Sequence, residues 1–373
     1  MIQPFLLILI ALLTVATPAT GSTLPLEQLK MPDGFTIEVY AEVENARQMA
    51  AGGKGIVYVG SRRAGKVHAV IDNNGDGKAD RVVLIDEELN LPTGLAYRNG
   101  SLYVGAVSTI YRYDNIDQQL DNPPEPVVVV DNLPTERHHG WKFLAFGPDN
   151  LLYVPVGAPC NICLSEDPRY ASILTMDPDI GASSFEIYAE GVRNTVGFDW
   201  HPTTGELWFT DNGRDLLGDD IPPCELNRAP ARGMHFGYPF FHGDNLADPE
   251  FGANKSPDAY VTPALNLTPH SAPLGMMFYT GKQFPAKYHN QVIIPEHGSW
   301  NRTPEAGHTG YSLTLGLLKA DGNVEYETFI NGWLGDDNKY WGRPVHLITE
   351  QDGSILLSDG FAGVIYRIRY VGS

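Results

Sequence analysis

Two adjacent histidines, His138 and His139, sit in the run Arg137-His138-His139-Gly140-Trp141-Lys142, just ahead of two short apolar stretches joined by Gly147-Pro148-Asp149-Asn150. An imidazole takes up and releases a proton near neutral pH, so this pair is where acid–base chemistry is best served. Other loops carry side chains suited to a charged or planar ligand: Arg193 with Asn194, the turn Asp211-Asn212-Gly213-Arg214, the run Glu296-His297-Gly298-Ser299-Trp300-Asn301-Arg302, and Arg343. Guanidinium groups meet carboxylates and carbonyls through a fixed fork of donors, and a tryptophan offers a flat apolar face. Chemistry follows only if one framework brings these loops together.

The rest of the chain supplies that framework as a repeat. Strands are predicted around Tyr58, Tyr103, Tyr153, Trp208, Ile293 and Leu356, with partners at 65–70, 109–114, 173–177, 225–228, 311–318 and 364–370. Helical periodicity is scarce, and the segments alternate and end at turn residues. Six such units predict an all-β fold, a six-bladed β-propeller of four-stranded antiparallel blades. Stretches 82–86, 127–131, 185–189 and 327–330 read as outermost strands, and 35–40 as a strand that closes the ring on the last blade. Strand direction alternates within a blade, so the loops between blades and the turns after the Tyr58-type strands lie at one end of the propeller. That end gathers Asn90, Thr93, His138, His139, Arg193, Asn194 and Arg343 with the turns at 158–160, 211–214 and 296–302. Such convergence at a channel mouth predicts a binding or catalytic site.

Composition narrows the class. The 373 residues are 43% hydrophobic and 19% charged, with 39 Gly and 28 Pro, as suits a folded domain rich in turns. A formal charge of −19 without a basic block disfavours nucleic acid or anionic lipid as partners. Residues 2–15 are nearly all apolar and small residues follow, so 1–22 reads as a signal peptide, with an uncleaved anchor as the alternative, and 23–373 as a single exported domain, periplasmic or secreted, with no membrane span after cleavage. Three cysteines allow at most one bridge within the chain. Cys160 and Cys163 close the shorter loop and are predicted to pair; pairing of either with Cys224 is the alternative.

The segments Gly191-Val192-Arg193-Asn194-Thr195-Val196-Gly197-Phe198-Asp199-Trp200-His201-Pro202, Asp211-Asn212-Gly213-Arg214, the His139 run and Gly342-Arg343-Pro344-Val345 together resemble the glucose/sorbosone dehydrogenases, soluble quinoproteins that use pyrroloquinoline quinone (PQQ). The run His297-Gly298-Ser299-Trp300-Asn301-Arg302 is closer to the sorbosone dehydrogenase-like branch, and the resemblance spans essentially the whole mature chain. It implies a six-bladed propeller with the quinone across one end of the channel. His139 would be the base that takes the substrate hydroxyl proton while hydride passes to PQQ, Arg193 would bond the quinone carbonyl with Asn194 beside it, and Arg343 would pair with a cofactor carboxylate. Trp300 would stack on the quinone plane, with His297 or Arg302 where a cationic residue meets the cofactor. The resemblance also implies Ca²⁺ on the main-chain carbonyls of Gly213 and Arg214, a sugar or aldehyde substrate, and an external electron acceptor. Two positions depart from the glucose-oxidising branch: His138 replaces an acidic residue, and a substrate-side glutamine is absent, leaving Asn90 and Thr93.

Other signals are weaker. Asp72-Asn73-Asn74-Gly75-Asp76-Gly77-Lys78-Ala79-Asp80 resembles the first part of a calcium loop but has Val83 where a bidentate acid belongs, so a second Ca²⁺ site and a plain Asx-rich turn stay open. Asp219, Asp220 and Glu225 read as a solvated acidic loop, and four Asn-x-Ser/Thr triplets, one at Asn301 inside the expected site, fit the glycosylation pattern. Competing functions are a non-catalytic extracellular binding propeller and a Ca-dependent lactonase-type propeller; the latter would need Glu, Asp and Asn converging on the metal, whereas these loops offer mostly His and Arg.

Overall fold

The computed structural model describes residues 24–372, so the predicted signal peptide lies outside the described residues. Six blades of four antiparallel strands follow one another along the chain; the first five run in sequence order from the channel outwards, and the sheet of blade III gains a fifth, parallel strand at Met234–His235. Blade I comprises Ala46–Ala51, Ile56–Ser61, Val67–Ile71 and Arg81–Asp86; blade II Gly94–Arg98, Ser101–Gly105, Ile110–Tyr113 and Val127–Val130. Blade III holds Ala145–Phe146, Leu152–Val156, Ser172–Met176 and Glu186–Glu190; blade IV Phe198–Trp200, Leu207–Asp211, Cys224–Ala229 and Leu265–Leu267. Blade V is Met277–Phe278, Val292–Glu296, Ser312–Leu318 and Val324–Ile330; blade VI is Pro344–Thr349, Ile355–Asp359 and Val364–Tyr370, completed by Phe35–Glu42. The six-bladed propeller is as predicted.

Each tyrosine- or tryptophan-centred strand is the second of its blade, buried on both faces between neighbouring sheets. This explains why those segments are nearly continuous in β-branched and aromatic residues. The ring closes as expected: Phe35 pairs with Tyr370 and Glu42 with Val364. Phe35 also fixes blade VI to blade V, its ring 4.7 Å from that of Phe284 and 5.1 Å from that of Phe329. At the channel the buried Gln48 ties three blades together, donating to the Leu144 carbonyl at 2.7 Å and accepting the amides of Leu95 and Leu144.

Glu225, expected both to open the strand at 225–228 and to share a solvated acidic loop with Asp219 and Asp220, lies in the third strand of blade IV, 8% exposed, accepting from Asn227 and from the amide of Gly243. The strand starts at Cys224, a short turn beyond the half-buried Asp219 and the exposed Asp220. The Asp72 loop is an Asx-rich turn, in which the Asp72 carboxylate accepts the amides of Gly75 and Gly77 and that of Asp80 the amide of Asn73. No helix among the described residues is long and apolar enough to cross a membrane.

Candidate active site

The loops between blades and the turns after second strands line a cavity of about 700 Å³ at one end of the channel. His138, His139, Arg193, Asn194, Gly213, His297, Trp300 and Arg343 all reach it, as the alternation of strand direction requires. Asn90, Thr93, Arg214 and Arg302 are not part of its wall.

His139 comes from the loop between blades II and III. Its φ of 51° is left-handed, a conformation few non-glycine residues adopt. The turn at the end of the second strand of blade III presses against it: a Cβ at Gly157 would come within 2.5 Å of the His139 Cβ, so only glycine fits there. The ring is buried, with Nδ1 3.0 Å from the carbonyl oxygen of Ala158. A carbonyl only accepts, so Nδ1 carries the hydrogen and Nε2 keeps its lone pair. Burial, then the charges of Arg193 and His138, hold this imidazole well below its usual range. It is therefore neutral at pH 7 and ready to accept a proton. His138 is exposed, its ring 4.1 Å from that of His139, and makes no such anchoring bond among the described residues.

Arg193 is 3% exposed and its guanidinium is fully engaged. Nε donates to the Asn161 carbonyl, Nη1 to the carbonyls of Asn212 and Gly213 at 3.0 and 2.9 Å, and Nη2 to Asn161 Oδ1 and Asp215. What it offers the cavity is a fixed positive charge, not a spare donor. Its backbone is held from below by Asp211, which accepts the amides of Arg193 at 2.7 Å and Asn194 at 2.6 Å. Burial, with Glu225 adding to it, pushes the Asp211 carboxyl up to about 7. Asn194 faces the cavity with a side-chain amide that bonds nothing among the described residues.

Blade VI repeats the device. Asp359, at the same strand position as Asp211, accepts the amide of Arg343 at 2.8 Å. Arg343 then donates from Nε to the His297 carbonyl and from Nη2 to the Gly298 carbonyl at 2.6 Å, which leaves Nη1 for a ligand. His297 is held by its own Nδ1 against the Pro344 carbonyl at 3.0 Å, and burial with the nearby arginines keeps it neutral. It cannot serve as the cation expected near this position. Trp300, 69% exposed, stands at the mouth with its face available.

Several expected contacts are not assembled. Arg302 turns away to the Asp219 and Gly307 carbonyls and the Asp220 carboxylate. Thr93 is buried, its hydroxyl on the carbonyls of Leu91 and Ser61. The Arg214 side chain is buried against Asp248, which also meets His242. The residues fit an anionic, planar cofactor, but they do not fit calcium on Gly213 and Arg214. With Arg193 donating to Gly213, a dication on that oxygen would lie beside a guanidinium.

Cys160 and Cys163 are bonded, with Cα atoms 6.2 Å apart, as predicted, and brace the turn that holds Asn161 against Arg193. Cys224 is free and buried at the cavity wall. Arg47, Arg62, Arg63 and His270 were not anticipated. The rule that turns after second strands face the site applies equally to blade I, whose second strand ends at Ser61, and would have found Arg62 and Arg63.

Residues 106–295 match the family model described as Glucose / Sorbosone dehydrogenase. Over 97% of its length the chain is 33% identical to an uncharacterized protein of Borreliella burgdorferi, covering 95% of that protein. It is 23% identical to a pyrroloquinoline quinone-dependent sugar dehydrogenase of Hypocrea jecorina over 54% of this chain, a match that spans 58% of that relative. The fold is that of the PQQ domain of pyranose dehydrogenase from Coprinopsis cinerea in its holo form, with a TM-score of 0.76, 18% identity, and coverage of 91% of this chain and 97% of that one.

Proposed function

Because this chain belongs to the glucose/sorbosone dehydrogenase family, we propose that it is a PQQ-dependent dehydrogenase oxidising a sugar or aldehyde-sugar at its hemiacetal or hydrated-aldehyde carbon. The observation that carries the reading is the state of His139: neutral, oriented through Nδ1 by the Ala158 carbonyl, and presenting Nε2 within a cavity otherwise rich in arginine. PQQ, when bound, supplies the two-electron acceptor for the hydride. Nε2 of His139 takes the proton from the substrate hydroxyl, so the same carbon becomes a lactone or acid as its hydride leaves. Arg193 stabilises negative charge that develops nearby without having to reorganise, since its hydrogen bonds are already made. Arg343 Nη1 would hold a cofactor carboxylate, and the exposed face of Trp300 would offer the quinone a stacking surface. Turnover would require an external electron acceptor.

The test is reconstitution. Purified protein titrated with PQQ should develop the absorbance of bound quinone and reduce an artificial electron acceptor when an aldose is added. Protein that neither binds PQQ nor turns over any sugar, or that reduces NAD without quinone, overturns the proposal.

A further inference from the structure

The cavity holds more positive charge than the cofactor accounts for. Its wall carries Arg47, Arg62, Arg63, Arg137, Arg193 and Arg343, while Asp215 is the one carboxylate among the residues that line it. Asp215 is spent on Arg193 and Asn301. PQQ is a tricarboxylate, so a bound cofactor would still leave an excess of guanidinium groups. In a chain of net charge −19 this concentration is local, and among the described residues Asp215 on Arg193 is the one carboxylate that answers it. Among the described residues, the buried Arg47, the half-buried Arg62 and the exposed Arg63 and Arg137 form no ion pair, and their side chains donate to no protein acceptor. Arg47 is 3% exposed and its Nε is buried without a partner. A buried guanidinium left unsatisfied is costly unless a ligand completes it.

The positions are built, not incidental. Asn45 accepts the amides of both Arg62 and Arg63, at 3.0 and 2.7 Å, and is itself tied to the Gly360 carbonyl of blade VI, so the turn carrying the two arginines is fixed across the ring closure. The Arg62 guanidinium lies over the face of Trp141, 3.8 Å from its centre, and Trp141 meets His139 edge-on at 5.8 Å. One aromatic ring thus separates a half-buried arginine without an ion-pair partner from the base.

Resting on the dehydrogenase reading above, we propose that the substrate is an anionic sugar, bearing a carboxylate or a phosphate that Arg62 and Arg63, with Arg47 behind them, hold while its anomeric hydroxyl faces His139. A planar fork of donors suits either anion, and the neutral sugar would leave these charges unpaired.

The test compares D-glucuronate, glucose 6-phosphate and glucose as substrates of the PQQ-loaded protein. At least one anion should exceed glucose in kcat/KM by tenfold or more, and the preference should shrink as salt rises. The arm that wins distinguishes carboxylate from phosphate. Arg62→Met/Arg63→Met should lose at least tenfold of the anion-over-glucose ratio while taking up PQQ as the parent does. Equal kcat/KM for all three sugars overturns the inference and leaves the dehydrogenase reading standing. Loss of PQQ uptake in the double variant would assign these arginines to the cofactor and also overturns it. If no sugar is turned over, the dehydrogenase reading fails. Calorimetry with the same three sugars then decides the inference, which survives only if an anion binds more tightly than glucose.

Discussion

Asp211 lies beneath Arg193, its Oδ2 accepting the arginine's amide at 2.7 Å while its Oδ1 accepts that of Asn194 at 2.6 Å. One side chain at the end of a second strand therefore sets two consecutive cavity residues. Asp211→Ala leaves two buried amides without an acceptor, and a buried donor left unsatisfied costs roughly 1–3 kcal/mol. The variant should be destabilised by about 2–5 kcal/mol in denaturant melts, and PQQ uptake should weaken in parallel. A parental melting curve would remove Asp211 from this role.

His139→Ala should fold and still take up PQQ, yet lose roughly 10²–10⁴ in turnover, the contribution of a positioned base. His138→Ala should cost much less, because its ring is exposed and lacks the Ala158 anchor. Steady-state kinetics of the two variants check this, and equal losses would move the base elsewhere.

The pH profile follows from the same ring. Burial, Arg193 and His138 depress the His139 imidazole in the folded protein, so it stays unprotonated as pH falls to its ordinary value of 6.5 and below. The acid limb of kcat/KM should therefore lie below pH 6.5, and Arg193→Met should move it upward by removing one of the depressing charges. The stability linkage has the matching sign: a neutral buried histidine contributes fully above pH 6.5 and loses that contribution as pH falls toward its folded value. An acid limb above pH 6.5 in the parent would contradict this assignment.

The Gly213 carbonyl accepts Arg193 Nη1 at 2.9 Å, so calcium at that oxygen would have to compete with the guanidinium. Calorimetric titration of calcium into the protein without PQQ should show tighter binding in Arg193→Ala than in the parent, and a smaller gain in Arg343→Ala, which removes the same charge from other carbonyls. Equal gains in the two variants would mean that calcium responds to cavity charge alone.

Arg343 and Arg302 also part company. Arg343→Ala should weaken PQQ binding by roughly 10- to 100-fold, the equivalent of one charge-assisted hydrogen bond. Arg302→Ala should change it by less than about threefold, since that guanidinium is committed to Asp219, Asp220 and Gly307 outside the cavity. Fluorescence or absorbance titration with PQQ separates the two, and equal losses would return Arg302 to the site.

The propeller was legible because its second strands, such as Leu152–Val156 and Leu207–Asp211, are packed on both faces and so carry a dense apolar signature. Inner strands such as Ala145–Phe146 and Met277–Phe278 are two residues long, too short for any period to register. The outer strand of blade IV, Leu265–Leu267, escaped because a long insertion precedes it, including Met234–His235, which pairs in parallel with blade III. Within the site, His139, Arg193 and Arg343 were readable from motif and topology together. Arg47 was not, because an arginine in a strand reads as solvent-facing until the neighbouring blades are in place around it. Arg302 failed for the opposite reason: its motif sits at the mouth, but local carbonyls capture the side chain.

The pairing of Phe35–Glu42 with Val364–Tyr370 means that the first strand waits for the last. Asn45, which fixes Arg62 and Arg63, reaches across that same seam to Gly360. During synthesis the arginine side of the cavity therefore has no defined shape until nearly the whole chain has been made, and the long sequence separation of these contacts makes that joining slow. An unfinished or C-terminally clipped chain would lack the anion-holding wall even where every residue of that wall is present.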